Sequence, residues 1–261
     1  MTLRAESLTS SSYLIKENKM ILLEGGNVIA GAVPIKRENF ANAVKNLSKL
    51  LPKGINLYPI GSAGKKEISS DIDALIDAGE LMAVFPAKEL KLSRKALEDY
   101  FKEKGLQAAR TGVSVHVGVP TGVNDEIVQV DLMAVENAKD VQPLHTHDYT
   151  DVGMKGGTLH AMWADLANMS SIPGHNSLMM SPYKGLVDRE TKELITSNKD
   201  KIAKIIIGPN ASSDDMGNPT KMLAALKQYP EKYKAIKEKY FSEQIAEGSN
   251  EWFRKTLDLL K

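Results

Sequence analysis

Cysteine is absent from the 261 residues, which removes disulfides, thiol catalysis and cysteine-ligated zinc from consideration. No apolar run approaches the roughly 20 residues of a membrane span, and the first residues lack the long apolar stretch of a signal peptide. Excess charge of either sign is missing too. The formal net charge is +1, so no global basic field points to nucleic acid, although a local basic groove is compatible with that balance. Internal repeats and low-complexity tracts are absent. What is present is ordinary for a soluble globular chain with ample core: 42% hydrophobic and 26% charged residues. The expectation is a soluble, cytoplasmic protein without a membrane partner.

Periodicity sets out the elements. Residues 1–18 are polar. Met20 to Leu23 and Asn27 to Val33 flank Glu24-Gly25-Gly26 and predict a hairpin. Phe40, Ala43, Val44, Leu47, Leu50 and Leu51 recur at helical spacing, with Pro52 and Gly54 as terminators. Ile55 to Ile60 and Asp71 to Ile76 read as strands, and Pro59, having no N–H, belongs where a ladder ends. Ser93 predicts a capped helix through about Lys104, stopped by Gly105. Gln107 to Val119 reads as one strand, its valines alternating with Ser114, His116 and Gly118. In Ile127 to Val135, Val128, Val130, Leu132 and Ala134 face one way and Gln129, Asp131 and Met133 the other.

Beyond about residue 150 the pattern turns helical. Leu159, Met162, Trp163 and Leu166 form one stripe, and Ile202, Ile205 and Ile206 another. Asn218-Pro219 and Pro230 open two further helices, and Trp252, Phe253, Leu257 and Leu260 mark a last one. Residues 171–198 are the least regular part. The fold class expected is α/β (α+β), with a mixed sheet in an α/β domain at 1–150 and a helical region at 151–261 that closes a cleft.

The most informative segment is Gly61-Ser62-Ala63-Gly64-Lys65-Lys66-Glu67-Ile68-Ser69-Ser70-Asp71-Ile72-Asp73. A small-residue turn leaves one apolar strand, and the next carries two aspartates one residue apart. Strand residues i and i+2 share a face, so Asp71 and Asp73 present paired carboxylates beside a turn rich in backbone N–H groups. A metal-binding edge next to a phosphate-binding loop is what chemistry on a nucleoside triphosphate needs. Asp131 supplies a third carboxylate. An aspartate in the middle of an apolar strand is disfavoured and calls for a partner, for which a cation is suitable.

At these residues the chain resembles the DNA polymerase β-like nucleotidyltransferase superfamily. That pattern is a strand, a Gly-Ser turn, a short helix, a strand with Asp-x-Asp, and a third Asp on a later strand. Gly61-Ser62, Asp71-Ile72-Asp73 and Asp131 hold those places in order, over roughly residues 35–136. Eight residues separate Ser62 from Asp71, so the intervening helix must be brief. Leu23 to Asn27 and Gly61 to Lys66 also look like nucleotidyltransferase-like proteins of large bacteriophages, for which the compartment would be the host cytoplasm.

The resemblance implies nucleotidyl transfer, in which an acceptor attacks the α-phosphorus of an NTP and pyrophosphate leaves. It implies Asp71, Asp73 and Asp131 as catalytic and metal-binding residues for two Mg2+ or Mn2+ ions. Asp131 would hold the ion that lowers the acceptor's pKa, and would accept its proton. Gly61, Ser62, Gly64, Lys65, Lys66 and Ser70 form the nucleotide-binding set, with the NTP as substrate. The acceptor is open among RNA or tRNA, a protein and a small molecule. Two other functions use the same residues: a metal-dependent phosphodiesterase or nuclease, and a catalytically silent nucleotide- or nucleic-acid-binding protein.

Other features have bland readings beside sharper ones. His145-Thr146-His147-Asp148 is a polar loop or, with His116 or Asp151, a zinc site. His116 lines the cleft beside Asp131 or faces solvent. Gly153 to Gly157 is a plain loop or a nucleotide contact through Lys155. Trp163 is a core residue on its stripe or a base-stacking platform. Ser181 to Arg189 is irregular chain or an acceptor site. The lysines from Lys192 to Lys239 alternate with acids and read as a solvated face.

Overall fold

Alternation of valines fixes the central sheet. Val115, Val117 and Val119 share a face with Val128, Val130 and Leu132, and all six are fully buried. A one-residue slip would turn each of them to the opposite face, so their burial specifies the register. The computed structural model describes residues 28–146 and 156–241. Its first elements are β1 (Ile35–Lys36), α1 (Arg37–Leu50), β2 (Leu57–Ile60), β3 (Ile68–Ser69), β4 (Ile72–Asp77), α2 (Ala78–Val84) and α3 (Leu90–Glu103). Then come β5 (Ala108–Thr111), β6 (Ser114–Pro120), β7 (Ile127–Val135), α4 (Ala138–Val141) and a 3-10 turn, Gln142–His145.

The five-stranded sheet runs β2-β4-β7-β6-β5. Only the β4–β7 pairing is parallel, so the sheet is mixed and the fold is α/β. Pro59 sits on β2, the sheet edge, where its missing N–H costs little. One face meets α1 and α3, with Leu47, Leu97 and Phe101 against Ile72, Ala74 and Ile76. On the other face, Leu75 and Val135 pack with Ile60 and with Ala138 and Val141 of α4. Asp73, Asp131, Gln129 and His116 share that second face by register.

The later segment holds α5 (Gly156–Asn168), β8 (Leu178–Ser181), β9 (Gly185–Asp188), β10 (Leu194–Thr196), α6 (Lys199–Ile206), α7 (Ser213–Gly217), α8 (Pro219–Leu226) and α9 (Pro230–Tyr240). Trp163, Leu166, Ile202, Ile206, Leu223 and Ile236 centre its own apolar cluster, which also takes in Leu144. Asn218 caps α8 by accepting from Thr220 N and Lys221 N, and Pro230 starts α9. No described helix is long and apolar enough to cross a membrane.

Several elements differ from the sequence expectations. Residues 171–198 contain a three-stranded antiparallel sheet, β10-β9-β8, where no strand was read. Gln107 to Val119 is a hairpin rather than one strand, because Gly112 takes φ 54° in the turn between Thr111 and Ser114. The helix assigned to begin at Ser93 starts at Leu90, and Ser93 lies fully buried inside it, donating to Phe85 O at 2.8 Å. The brief helix after Gly61-Ser62 is a turn in which Ser62 O accepts from Lys65 N and Lys66 N. Gly64, at φ 76°, stops it there. Helix α2 is an addition to the expected elements; Asp77 caps it, accepting from Gly79 N and Glu80 N. Residues 28–33 form no strand. The first half of the expected hairpin and the Trp252–Leu260 helix lie outside the described residues.

Candidate active site

Strand pairing brings the carboxylates together. Asp73 on β4 and Asp131 on β7 are register partners across the parallel pair, and Asp71 immediately precedes β4. Burial first, then the charges of Asp71 and Asp131, push the Asp73 carboxyl up to about 7. Asp71 is raised as well, by burial and then by Asp131. Ser70 Oγ donates to Asp71 Oδ1 at 3.1 Å.

The Gly-Ser turn is fitted to this cluster. Gly61 has φ 74°, and a Cβ there would lie 2.7 Å from Asp73 Oδ2. Glycine is required on both counts: the backbone is left-handed, and the carboxylate fills the side-chain position. Gly64 is constrained similarly, since a Cβ would lie 2.6 Å from the Phe40 ring. Ser62 Oγ and Ser69 Oγ are 3.1 Å apart and hydrogen-bonded. Ser69 pairs with Ile35 in the β1–β3 ribbon, which ties the turn to the start of α1.

His116 lies on the cleft side of the sheet, opposite Asp131. Its Nδ1–H donates to Asp131 Oδ1 at 2.7 Å, and its Nε2 meets Thr111 Oγ1 at 2.5 Å. Gln129 Nε2 also donates to Asp131 Oδ1, at 2.9 Å. The sequence pattern puts Gln129 on the Asp131 face, two residues earlier, and that spacing is the signal for this contact.

In the later segment, α6 begins with Lys199, one of the lysines that the sequence pattern reads as a solvated face. Its Nζ donates to Thr146 O at 3.1 Å and lies 5.7 Å from the centroid of the Trp163 ring. Burial, followed by the charge of Lys65, pushes Lys199 down to about 8. Lys199 and Lys221 help to line a cavity of about 800 Å³ with Thr146, Asn198, Ser213 and Asn218. Lys232 also turns inward, donating to Ile206 O at 2.8 Å. Nothing in the sequence distinguished these lysines from their solvated neighbours.

Other candidates are occupied by packing. Trp163 is buried and donates Nε1–H to Met216 O. His145 Nε2–H donates to Pro182 O at 2.5 Å, and the ring lies 5.0 Å from that of His160. Burial and His145 push His160 down to about 4, so it is neutral. The hydrogen-bond partners of His116 are Asp131 and Thr111, not His145. His147, Asp148, Asp151 and Gly153 to Lys155 lie outside the described residues. In Ser181 to Arg189, Lys184 pairs with Glu136 at 3.2 Å and Arg189 binds Leu178 O and Asn168 Oδ1.

Among the described residues, no three His, Cys, Asp or Glu side chains converge on one point as a ready-made metal cage. The donor chemistry nevertheless fits a hard divalent cation. Mg2+ is commonly held by one or two carboxylates together with substrate phosphates, and Asp71, Asp73 and Asp131 bring carboxylates within electrostatic reach of one another.

No protein-family profile and no curated protein matches the chain. Among solved structures, it is similar to a cytoplasmic RNA terminal U-transferase, at 15% identity and a TM-score of 0.25. That alignment covers 55% of this chain, which spans only 42% of the other's length.

Proposed function

We propose that this protein is a metal-dependent nucleotidyltransferase of the DNA polymerase β-like superfamily, transferring a nucleoside monophosphate from an NTP to an acceptor. The observation that carries the reading is the contact of Gly61 with Asp73. It joins a turn suited to phosphate to carboxylates that repel one another, on strands ordered as the sequence resemblance implies.

Each residue then has a role. Asp71 and Asp73 would hold the cations, and Asp131 would hold the one nearer the acceptor and take up the acceptor's proton. When bound, the cations would lower the acceptor's pKa and neutralise charge on the attacking and leaving oxygens. Ser62, Ser70 and the N–H groups of Gly61 to Gly64 receive the β- and γ-phosphates. Lys65 and Lys66 add positive charge from the turn, and Lys199 adds it from α6. Residues 1–150 form the catalytic part, and 151–261 close the cleft over the nucleotide. The compartment proposed is the cytoplasm, of a host cell if the bacteriophage resemblance holds.

The test incubates the protein with each α-³²P-labelled NTP, Mg2+ or Mn2+, and a cell extract as the acceptor pool. An Asp71→Asn/Asp73→Asn double variant runs alongside. Label transferred by the wild type alone supports the reading and shows whether the acceptor is RNA, protein or small molecule. Metal-dependent NTP binding with no transfer indicates a silent binder, and NTP-independent cleavage of nucleic acid indicates a nuclease; either result overturns it.

A further inference from the structure

Asp131 is held at one oxygen only. Oδ1 accepts from both His116 and Gln129, while Oδ2 accepts no hydrogen bond from the described residues. The rotation that aims a carboxylate is soft, with broad minima. Two donors converging on Oδ1 set that angle.

Both donors are braced in turn. His116 is 5% exposed and Gln129 3%, a costly burial for polar groups unless they are bonded. Thr111 of β5 holds the far nitrogen of His116. Gln129 Oε1 accepts from Val28 N at 2.7 Å and Ile29 N at 3.0 Å. Ile29 is buried over Gly118, where a Cβ would come within 3.0 Å of Ile29 Cγ2. The missing side chain at 118 therefore makes the seat that brings Val28 and Ile29 to Gln129.

We propose that His116 and Gln129 are positioning residues for Asp131: they clamp Oδ1 and reserve Oδ2 for the catalytic cation. This inference rests on the nucleotidyl-transfer reading of the three carboxylates. Neither residue touches substrate. Each acts through the carboxylate, as outer-shell partners of metal ligands do.

The test is Mn2+ binding to the full chain, read from the electron paramagnetic resonance signal of the free ion. His116→Ala and Gln129→Leu remove one donor each. Gln129→Glu keeps an acceptor for Val28 and Ile29 but offers Asp131 no donor. His116→Asn restores an N–H near the position of Nδ1. The first three are expected to weaken Mn2+ binding by about 10- to 100-fold, with His116→Asn within about threefold of wild type. If His116→Ala and Gln129→Leu melt as folded proteins and bind Mn2+ like wild type, while Asp73→Asn does not bind, the proposal is overturned and the metal reading stands. If either fails to fold, His116→Asn and Gln129→Glu decide: tight and weak binding respectively support the clamp, and any other pattern overturns it. If Asp71→Asn/Asp73→Asn binds Mn2+ as well as wild type does, the metal reading falls and the clamp falls with it.

Discussion

Asp73 and Asp131 face one another across the one parallel pairing of the sheet, and their charges oppose each other. The pair costs the fold stability whenever both are ionised. That gives the site a stability signature separable from its chemistry.

Asp73→Asn should therefore stabilise the protein while abolishing transfer. The folded-state carboxyl titrates near 7, above its ordinary 3.8. A raised carboxyl leaves the fold unpenalised below the unfolded value, and the penalty grows as pH rises from about 4 to 7. The variant's advantage should be on the order of 2 kcal/mol at pH 8 and vanish near pH 4. Urea denaturation at the two pH values measures it.

If the proposed cation site is real, Mg2+ or Mn2+ should raise the melting temperature of the wild type and leave that of Asp71→Asn/Asp73→Asn unchanged, since a ligand bound only by the native cluster stabilises only the protein that has it. EDTA should reverse the shift. A calorimetric scan with equal shifts in both proteins would refute cation binding at these carboxylates.

Gly61→Ala should lose activity as well as stability. It combines a left-handed backbone with a 2.7 Å approach to Asp73 Oδ2, so the methyl must displace the carboxylate. Gly105→Ala is the control: φ is 79° and no atom lies within 4 Å of the added Cβ. Each should cost about 1–3 kcal/mol in backbone strain, but transfer should fall only in the Gly61 variant. Parallel activity and denaturation measurements separate the two.

Lys199, titrating near 8, should bind phosphate oxygens only in its charged form. NTP affinity is expected to weaken as pH rises from 7 to 9.5. Lys199→Arg, which stays charged throughout that range, should flatten the dependence. Isothermal titration with ATP at both pH values reads this directly.

Asp77→Ala should destabilise the C-terminal end of β4, an interior strand, without touching catalysis. One oxygen of Asp77 caps α2, and the other accepts from Ala138 N at 3.2 Å at the start of α4. Loss of the cap alone costs about 1 kcal/mol, and the orphaned Ala138 N–H adds to it. Denaturant midpoints should fall while the Mn2+ affinity holds.

How much of this was legible beforehand follows from the range of each signal. The nearness of Asp71 to Asp73 was readable from their two-residue spacing, although Asp71 falls just before β4 rather than on it. Asp131 was readable because an acid amid valines is an anomaly. The sheet's apolar faces were likewise written in alternation. The clamp of His116 and Gln129 was hidden, since cross-strand register depends on how β6 meets β7. The fit of Gly61 to Asp73 required the turn's path in space. Ser93 looked like a cap because its bond to Phe85 O spans two helices rather than one turn. The short strands between Leu178 and Thr196 lack enough length for alternation to stand out.

The parallel pairing of β4 with β7 has a consequence for how the protein comes into being. Parallel neighbours cannot be joined by a tight turn, and here α2, α3, β5 and β6 all intervene. A chain emerging from the ribosome carries Asp71 and Asp73 long before Asp131 has a strand to arrive on. Contacts so distant in sequence form late, after their loop-closure entropy has been overcome. Cation binding would then appear at the close of sheet assembly, so Mn2+ uptake during refolding would time the completion of the fold.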